Sequence, residues 1–99
     1  MPRPCKIKNI ENEIQFTCFK PAWVSREKLQ KVELQAEELE ALRLIKLENL
    51  NQEQAAQKMW ISAPTLNRLL KSATTKITDA LVNGKWIRIY KIDGTWKCI

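Results

Sequence analysis

The sequence predicts a mainly α fold: a three-helix helix-turn-helix core with a short C-terminal β-hairpin and a candidate N-terminal strand. Three observations carry this reading. Small and apolar residues fall at Ala55, Ala56, Met59 and Ile61, then at Leu66, Leu69, Leu70, Ala73 and Ile77. That is the three-to-four spacing of one buried helical face, on either side of a turn too short to separate two helices. A third apolar stripe, Leu39, Leu42, Ile45 or Lys46, and Leu47, precedes them. Beyond them, Asn83-Gly84 is a helix stop and Asp93-Gly94 the signature of a two-residue hairpin turn.

In chain order, the arm Met1-Pro2-Arg3-Pro4 cannot be helical across its prolines and is expected to be extended, tracking a groove or phosphate backbone or simply solvating a chain end. Between Glu13 and Phe19, Ile14, Phe16 and Cys18 alternate with Gln15 and Thr17 as in a half-buried strand, which Lys20-Pro21 ends. Ser25 is a candidate cap for a short helix over Arg26 to Lys31, and Val32-Glu33-Leu34 reads as a link packing Val32 or Leu34 on the core. From Ala36 to Leu47 the stripe is helical, with Glu37, Glu38 and Glu40 placed to complement the dipole of the first turn. Asn49 breaks this helix, and Asn51 or Gln52 starts the next.

In the turn that follows, Ala56 lets a crossing helix come close and Ile61 plugs the corner. Ser62 caps the second helix of the pair, which is expected to start at Ala63, with Pro64 in the first turn, where a missing N–H costs nothing. After Gly84 the hairpin would set Lys91 by Trp96 and Ile89 by Cys98. Ile87 shares that face, and Arg88 and Tyr90 lie on a wetter, basic one. Such a hairpin is a wing against nucleic acid, a structural cover extended by the N-terminal strand, or an edge that pairs two subunits. Trp23, Trp86 and Trp96 are expected to close the core rather than stack single-stranded bases, because they do not alternate along one strand face.

Composition narrows the function. With 99 residues, 44% hydrophobic and 28% charged, this is one globular domain spanning 1–99, divided into a basic arm (1–10), a helical core (36–82) and the hairpin (85–99). No apolar run approaches a membrane span and the N-terminus lacks the apolar core of a secretion signal, so a cytoplasmic protein without a membrane partner is expected. Three widely spaced cysteines and no histidine argue against a zinc site, and without a glycine-rich phosphate loop, a histidine or a carboxylate pair outside a helix start no cofactor and no enzyme activity are expected. Reduced thiols, with Cys18 and Cys98 packed as small apolar groups, are the expected state. The net charge of +6 is uneven: +3 over residues 1–10, −3 over 11–53 and +6 over 54–99. The excess falls on the arm and on the half that holds the second helix of the pair, as phosphate contacts require.

The outward face of that helix presents Pro64, Thr65, Asn67, Arg68 and Lys71, with no acid before Asp79. Asn pairs with adenine and Arg with guanine through two hydrogen bonds each, so double-stranded DNA is the expected partner. In this reading Asn67 and Arg68 read bases, Thr65 and Lys71 position phosphates, and the amide end near Ser62 holds one more. One short helix reads only a few base pairs, so a homodimer is expected, although no zipper is present. The competing reading keeps the fold as a protein-interaction module.

The run LQAEELEALRL, then LNQEQAAQKMWIS, then PTLNRLLKSATTKITDAL resembles the promoter-reading C-terminal region of bacterial sigma factors. More closely, the chain resembles domain-of-unknown-function family one-three-four, small prokaryotic proteins described as predicted DNA-binding. The matching pieces are the opening MPRP, FKPA at Phe19 to Ala22, ELEALRL at Glu38 to Leu44, QEQAA at Gln52 to Ala56 and DALVNGK at Asp79 to Lys85. Together they span residues 1 to about 89 in the family's order. The resemblance implies a helix-turn-helix fold and a regulatory DNA-binding role. This chain departs from the pattern at Trp60, where the family typically has glycine, and around Ala63 and Thr74-Thr75, where it tends to be basic. A tryptophan there requires either another turn conformation or an indole flipped outward, and the missing bases imply weaker phosphate affinity.

Overall fold

In chain order the elements are β1 (Cys18–Phe19), β2 (Lys31–Leu34), α1 (Ala36–Leu42) running into one π-helical turn (Arg43–Leu47), α2 (Gln52–Met59), α3 (Ala63–Asn83) and β3 (Trp86–Ile89). The computed structural model describes residues 10, 14–22, 30–92 and 94. The mainly α fold, with a strand on each side of the helices, is the one the sequence predicts.

Local chemistry sets the helix ends. Asn51 caps α2, its side chain accepting from the Gln54 amide at 2.8 Å while the Gln54 side chain accepts from the Asn51 amide at 3.0 Å. Both α2 and α3 stop on a left-handed residue followed by a bond spanning five residues: Ile61 N–H to the Ala56 carbonyl past Trp60, and Lys85 N–H to the Ala80 carbonyl past Gly84. Asn49, at φ 60°, ends the first helix as expected.

The core has two parts, with α1 and α3 contributing to both. Ala41, Leu44, Ala55, Ala56, Met59 and Leu66 are buried between the three helices, with Ile61 and Leu69 packed against them. Ile14, Leu34, Ala36, Ala73 and Ile89 are buried between α1, α3 and the sheet. That sheet has the order β1-β3-β2, with β3 antiparallel to β1 and parallel to β2.

Several expectations are corrected. Residues 31–34, read as a helix end and a link, form β2, with Leu34 facing Ile89 across the ladder; Gln30 is not helical either, its carbonyl accepting from the Trp86 amide, and residues 26–29 of the helix expected after Ser25 lie outside the described residues. Of the described residues of the N-terminal segment, Cys18 and Phe19 are strand. The period-two pattern therefore does not extend back to Ile14, and Thr17 is buried while Phe16 is exposed. Leu47 is turned out to solvent, because the wider π turn, closed by Glu48 N–H on the Arg43 carbonyl, carries it off the buried stripe. Glu38 and Glu40, expected to complement the helix dipole, are buried as well, Glu40 being held by both arms of the Arg43 guanidinium. Trp86 does not close the core: on the sheet face opposite Ile87 and Ile89, its ring meets the cations of Arg88 (5.0 Å) and Lys20 (5.7 Å). Cys18 is disulfide-bonded, not a reduced thiol.

Along Trp86–Ile89 both edges of β3 are occupied. Ile89, expected beside Cys98, donates to the Thr17 carbonyl, and Tyr90 donates to that of Leu34. The expected partners Trp96 and Cys98, as well as Trp23, Cys5 and the arm, lie outside the described residues, apart from Ile10.

Candidate nucleic-acid interface

The first turn of α3 is organised by three side chains. Ser62 is the N-cap in extended conformation, its Oγ accepting from the Thr65 amide at 3.3 Å and donating to the Thr65 Oγ1 at 2.9 Å. The same Oγ1 accepts from Arg68 Nη2 at 3.3 Å. Thr65 is half-buried, and its hydroxyl oxygen ties Ser62 to Arg68. Ser62, Pro64, Asn67, Arg68 and Lys71 are exposed. Of the six residues singled out in the sequence, five therefore share one outward face and the sixth supports it.

The opposite side of the helix is buried at Leu66, Ala73 and Ala80, and half-buried at Leu69, Leu70 and Ile77. The outward stripe continues through Thr75 and Thr78 to Leu81 and Val82. Polar and basic at its N-terminal half, it is neutral in the middle and apolar at the last turn.

Charge is distributed to match. Neither Arg68 nor Lys71 has an acidic partner among the described residues, whereas the remaining charged groups of α3 are paired. Asp79 is held to Lys85 at 2.8 Å and to Asn83, and these bonds keep its carboxyl below the ordinary range. Lys76 donates to Glu38 Oε1 at 2.9 Å.

Glu38 is the residue that sequence reasoning missed. It sits 5% exposed between α1 and α3, where it accepts from the Gln35 amide at 2.8 Å, from the Ser72 hydroxyl and from Lys76. Burial alone would raise its carboxyl. The bonds from Gln35, Ser72 and Lys76, with the lysine charge, outweigh burial and hold it below the usual carboxylate range. One buried acid of α1 thus fixes the middle of α3 along its axis. The available signal was Ser72 and Lys76, one turn apart beside the apolar positions Ala73 and Ile77, where polar groups need a partner.

The Trp60 corner keeps the left-handed turn. At φ 62°, ψ 39°, the backbone adopts the conformation that glycine would give, and the indole is 61% exposed beside the start of α3.

Comparison with protein families matches residues 1–97 to the family described as protein of unknown function DUF134. This chain belongs to the DUF134 family. Its relatives include a UPF0251 protein of Caldanaerobacter subterraneus subsp. tengcongensis, 48% identical over 98 residues that cover 95% of this chain and 83% of the relative. A UPF0251 protein of Thermoanaerobacter pseudethanolicus is 49% identical over 89 residues, 90% of this chain and 75% of its own. One from Dehalococcoides mccartyi is 47% identical over 102 residues, 99% of this chain and 87% of its own. No solved structure matches the chain. Among the described residues, no helix of this DUF134 member is long and apolar enough to cross a membrane.

Proposed function

We propose that this DUF134 protein is a sequence-specific double-stranded DNA-binding protein of the helix-turn-helix type, acting as a homodimeric transcriptional regulator in the cytoplasm. The observation that supports it is the outward stripe Pro64, Asn67, Arg68 and Lys71, which starts at a capped helix N-terminus and meets no acid before Asp79.

A helix about 10–12 Å across fits a major groove about 12 Å wide. With the N-terminal half of α3 in that groove, Asn67 takes the N6 and N7 positions of an adenine, and Arg68 the O6 and N7 positions of a guanine. Lys71, one turn further on, meets a phosphate, and the open amides around Ser62 receive another. Thr65 holds the guanidinium near its docking position before contact, which lowers the entropy lost on binding. No step of this activity requires a cofactor or a catalytic group.

The test is selection from a random duplex library at two salt concentrations, comparing wild type with Asn67→Ala/Arg68→Ala. Recovery of a motif by wild type alone, with affinity falling steeply in salt, supports base reading by α3. Binding that ignores sequence, or none, refutes it. The exposed Trp60 indole favours a second reading, a protein partner at the α2–α3 corner. Charge reversal at Arg68 and Lys71 would spare that activity and abolish DNA binding.

A further inference from the structure

The far end of α3 has features that reading DNA does not explain. Leu81 and Val82, in the last turn, are 75% and 74% exposed, and Phe19 on β1 is 53% exposed beside them. Next to Leu81 a shallow cleft of about 230 Å³ is lined by apolar atoms of Phe19, Pro21, Ala80 and Ile87, with Lys20 and Lys85 at its rim. Lys85 is neutralised by Asp79 at 2.8 Å. The patch thus combines projecting branched aliphatics and a receiving hollow, with the charge of Lys85 compensated and that of Lys20 set over the Trp86 ring at 5.7 Å.

We infer that this patch is the contact between two copies of the chain, related by a two-fold axis, with Leu81 and Val82 of each copy seated against the Phe19–Leu81 cleft of the other. A two-fold contact uses the same surface on both partners and must be self-complementary, which a knob beside a hollow satisfies. The choice of a second copy as occupant rests on the DNA-binding reading, through distance. Asn67 and Leu81 are 14 positions apart in one continuous helix, about 21 Å at 1.5 Å per residue. Two chains meeting at this end therefore hold their reading segments up to about 42 Å apart, and inclining the helices reduces that to the roughly 34–36 Å between half-sites one DNA turn apart.

Sedimentation equilibrium of the full chain at tens of micromolar decides the point, comparing wild type with Leu81→Glu/Val82→Glu and with Val82→Lys alone. These side chains are exposed, and an unchanged helical circular dichroism spectrum identifies variants that remain folded. Dimeric wild type, with dimer affinity reduced about 100-fold or more in a folded variant, supports the interface. Monomeric wild type, or a folded double variant that remains dimeric, overturns it. A duplex with one selected half-site separates the two readings. The interface variants should bind it as wild type does and lose only the preference for paired half-sites one turn apart. Loss of sequence selection by a wild type that is still dimeric would sink the DNA reading and leave the interface standing.

Discussion

Replacing Glu38 with alanine is the most informative test of how α3 is held. The substitution removes three bonds at once: from the Gln35 amide, from Ser72 and from Lys76. The amide bond closes the start of α1 and is worth about 1 kcal/mol. A hydroxyl bonded to a buried charged acceptor contributes about 1.5–3 kcal/mol. The lysine side chain is 33% exposed, so its ion pair is discounted to roughly 0.5–1 kcal/mol. Losing all three should cost about 3–5 kcal/mol, a large share of the roughly 5–15 kcal/mol that stabilises a domain of this size, and should lower the melting temperature by at least about 12 °C.

Glu38→Gln is the control. Its carbonyl can take the place of Oε1, while its amide donates to a Ser72 hydroxyl that turns round to accept. Only the charge is then lost, and a cost near 1 kcal/mol is expected. The pH response separates the two contributions. The Glu38 carboxyl lies lower in the folded chain than its ordinary value of 4.5, so between the two values the unfolded chain binds more protons. The stabilisation is complete above about pH 4.5 and is lost as pH falls through the folded value. Wild type should therefore lose more stability on acidification below that point than Glu38→Gln does. Urea melts followed by circular dichroism across pH 3–7 provide all three quantities. A Glu38→Ala cost below about 1 kcal/mol, or identical acid profiles for wild type and Glu38→Gln, would refute the reasoning.

Three further outcomes follow from the geometry. At Trp60, φ 62° favours glycine, so Trp60→Gly should be more stable than Trp60→Ala by about 1 kcal/mol in denaturant melts, both having lost the indole. Ser62→Ala removes the cap of α3 and should cost about 1 kcal/mol by the same measurement. In fluorescence titrations against duplex DNA, Lys71→Ala should weaken binding to all sequences alike and flatten the dependence of log affinity on log salt by about one unit of slope.

The helical core and the outward face of α3 were legible because their determinants are local. A serine before Ala63, a proline in the first turn and an apolar residue every third or fourth position specify α3 without reference to the rest of the chain. The same locality explains the end of α3 at Asn83-Gly84. What was not legible depends on partners distant in sequence. Residues 31–34 carry no hairpin signal, since their neighbour in the sheet lies 55 positions away. Glu38 looked like a residue complementing the helix dipole, because its true partners, Ser72 and Lys76, are 34 and 38 positions on. Trp60 posed a question with two answers, and the surrounding caps decided it: the five-residue bond from Ile61 to Ala56 requires the left-handed turn, so the indole goes outward. At Leu47 the apolar stripe misled, because a π turn changes the angular step between residues.

The parallel pairing of β2 with β3 also has a kinetic meaning. β2 leads directly into α1 and β3 follows directly after α3, so their ladder, Lys31 with Trp86 through Leu34 with Ile89, joins the two ends of the helical segment. Contacts between α2 and α3 span short distances along the chain and can form early, whereas the ladder must close a loop of about fifty residues. The order of events is then helices first and sheet last, with the strand pairing absent from the folding transition state. A destabilising change at the Leu34–Ile89 pair should accelerate unfolding and leave the folding rate nearly unchanged, while one at Met59 or Leu66 should slow folding itself.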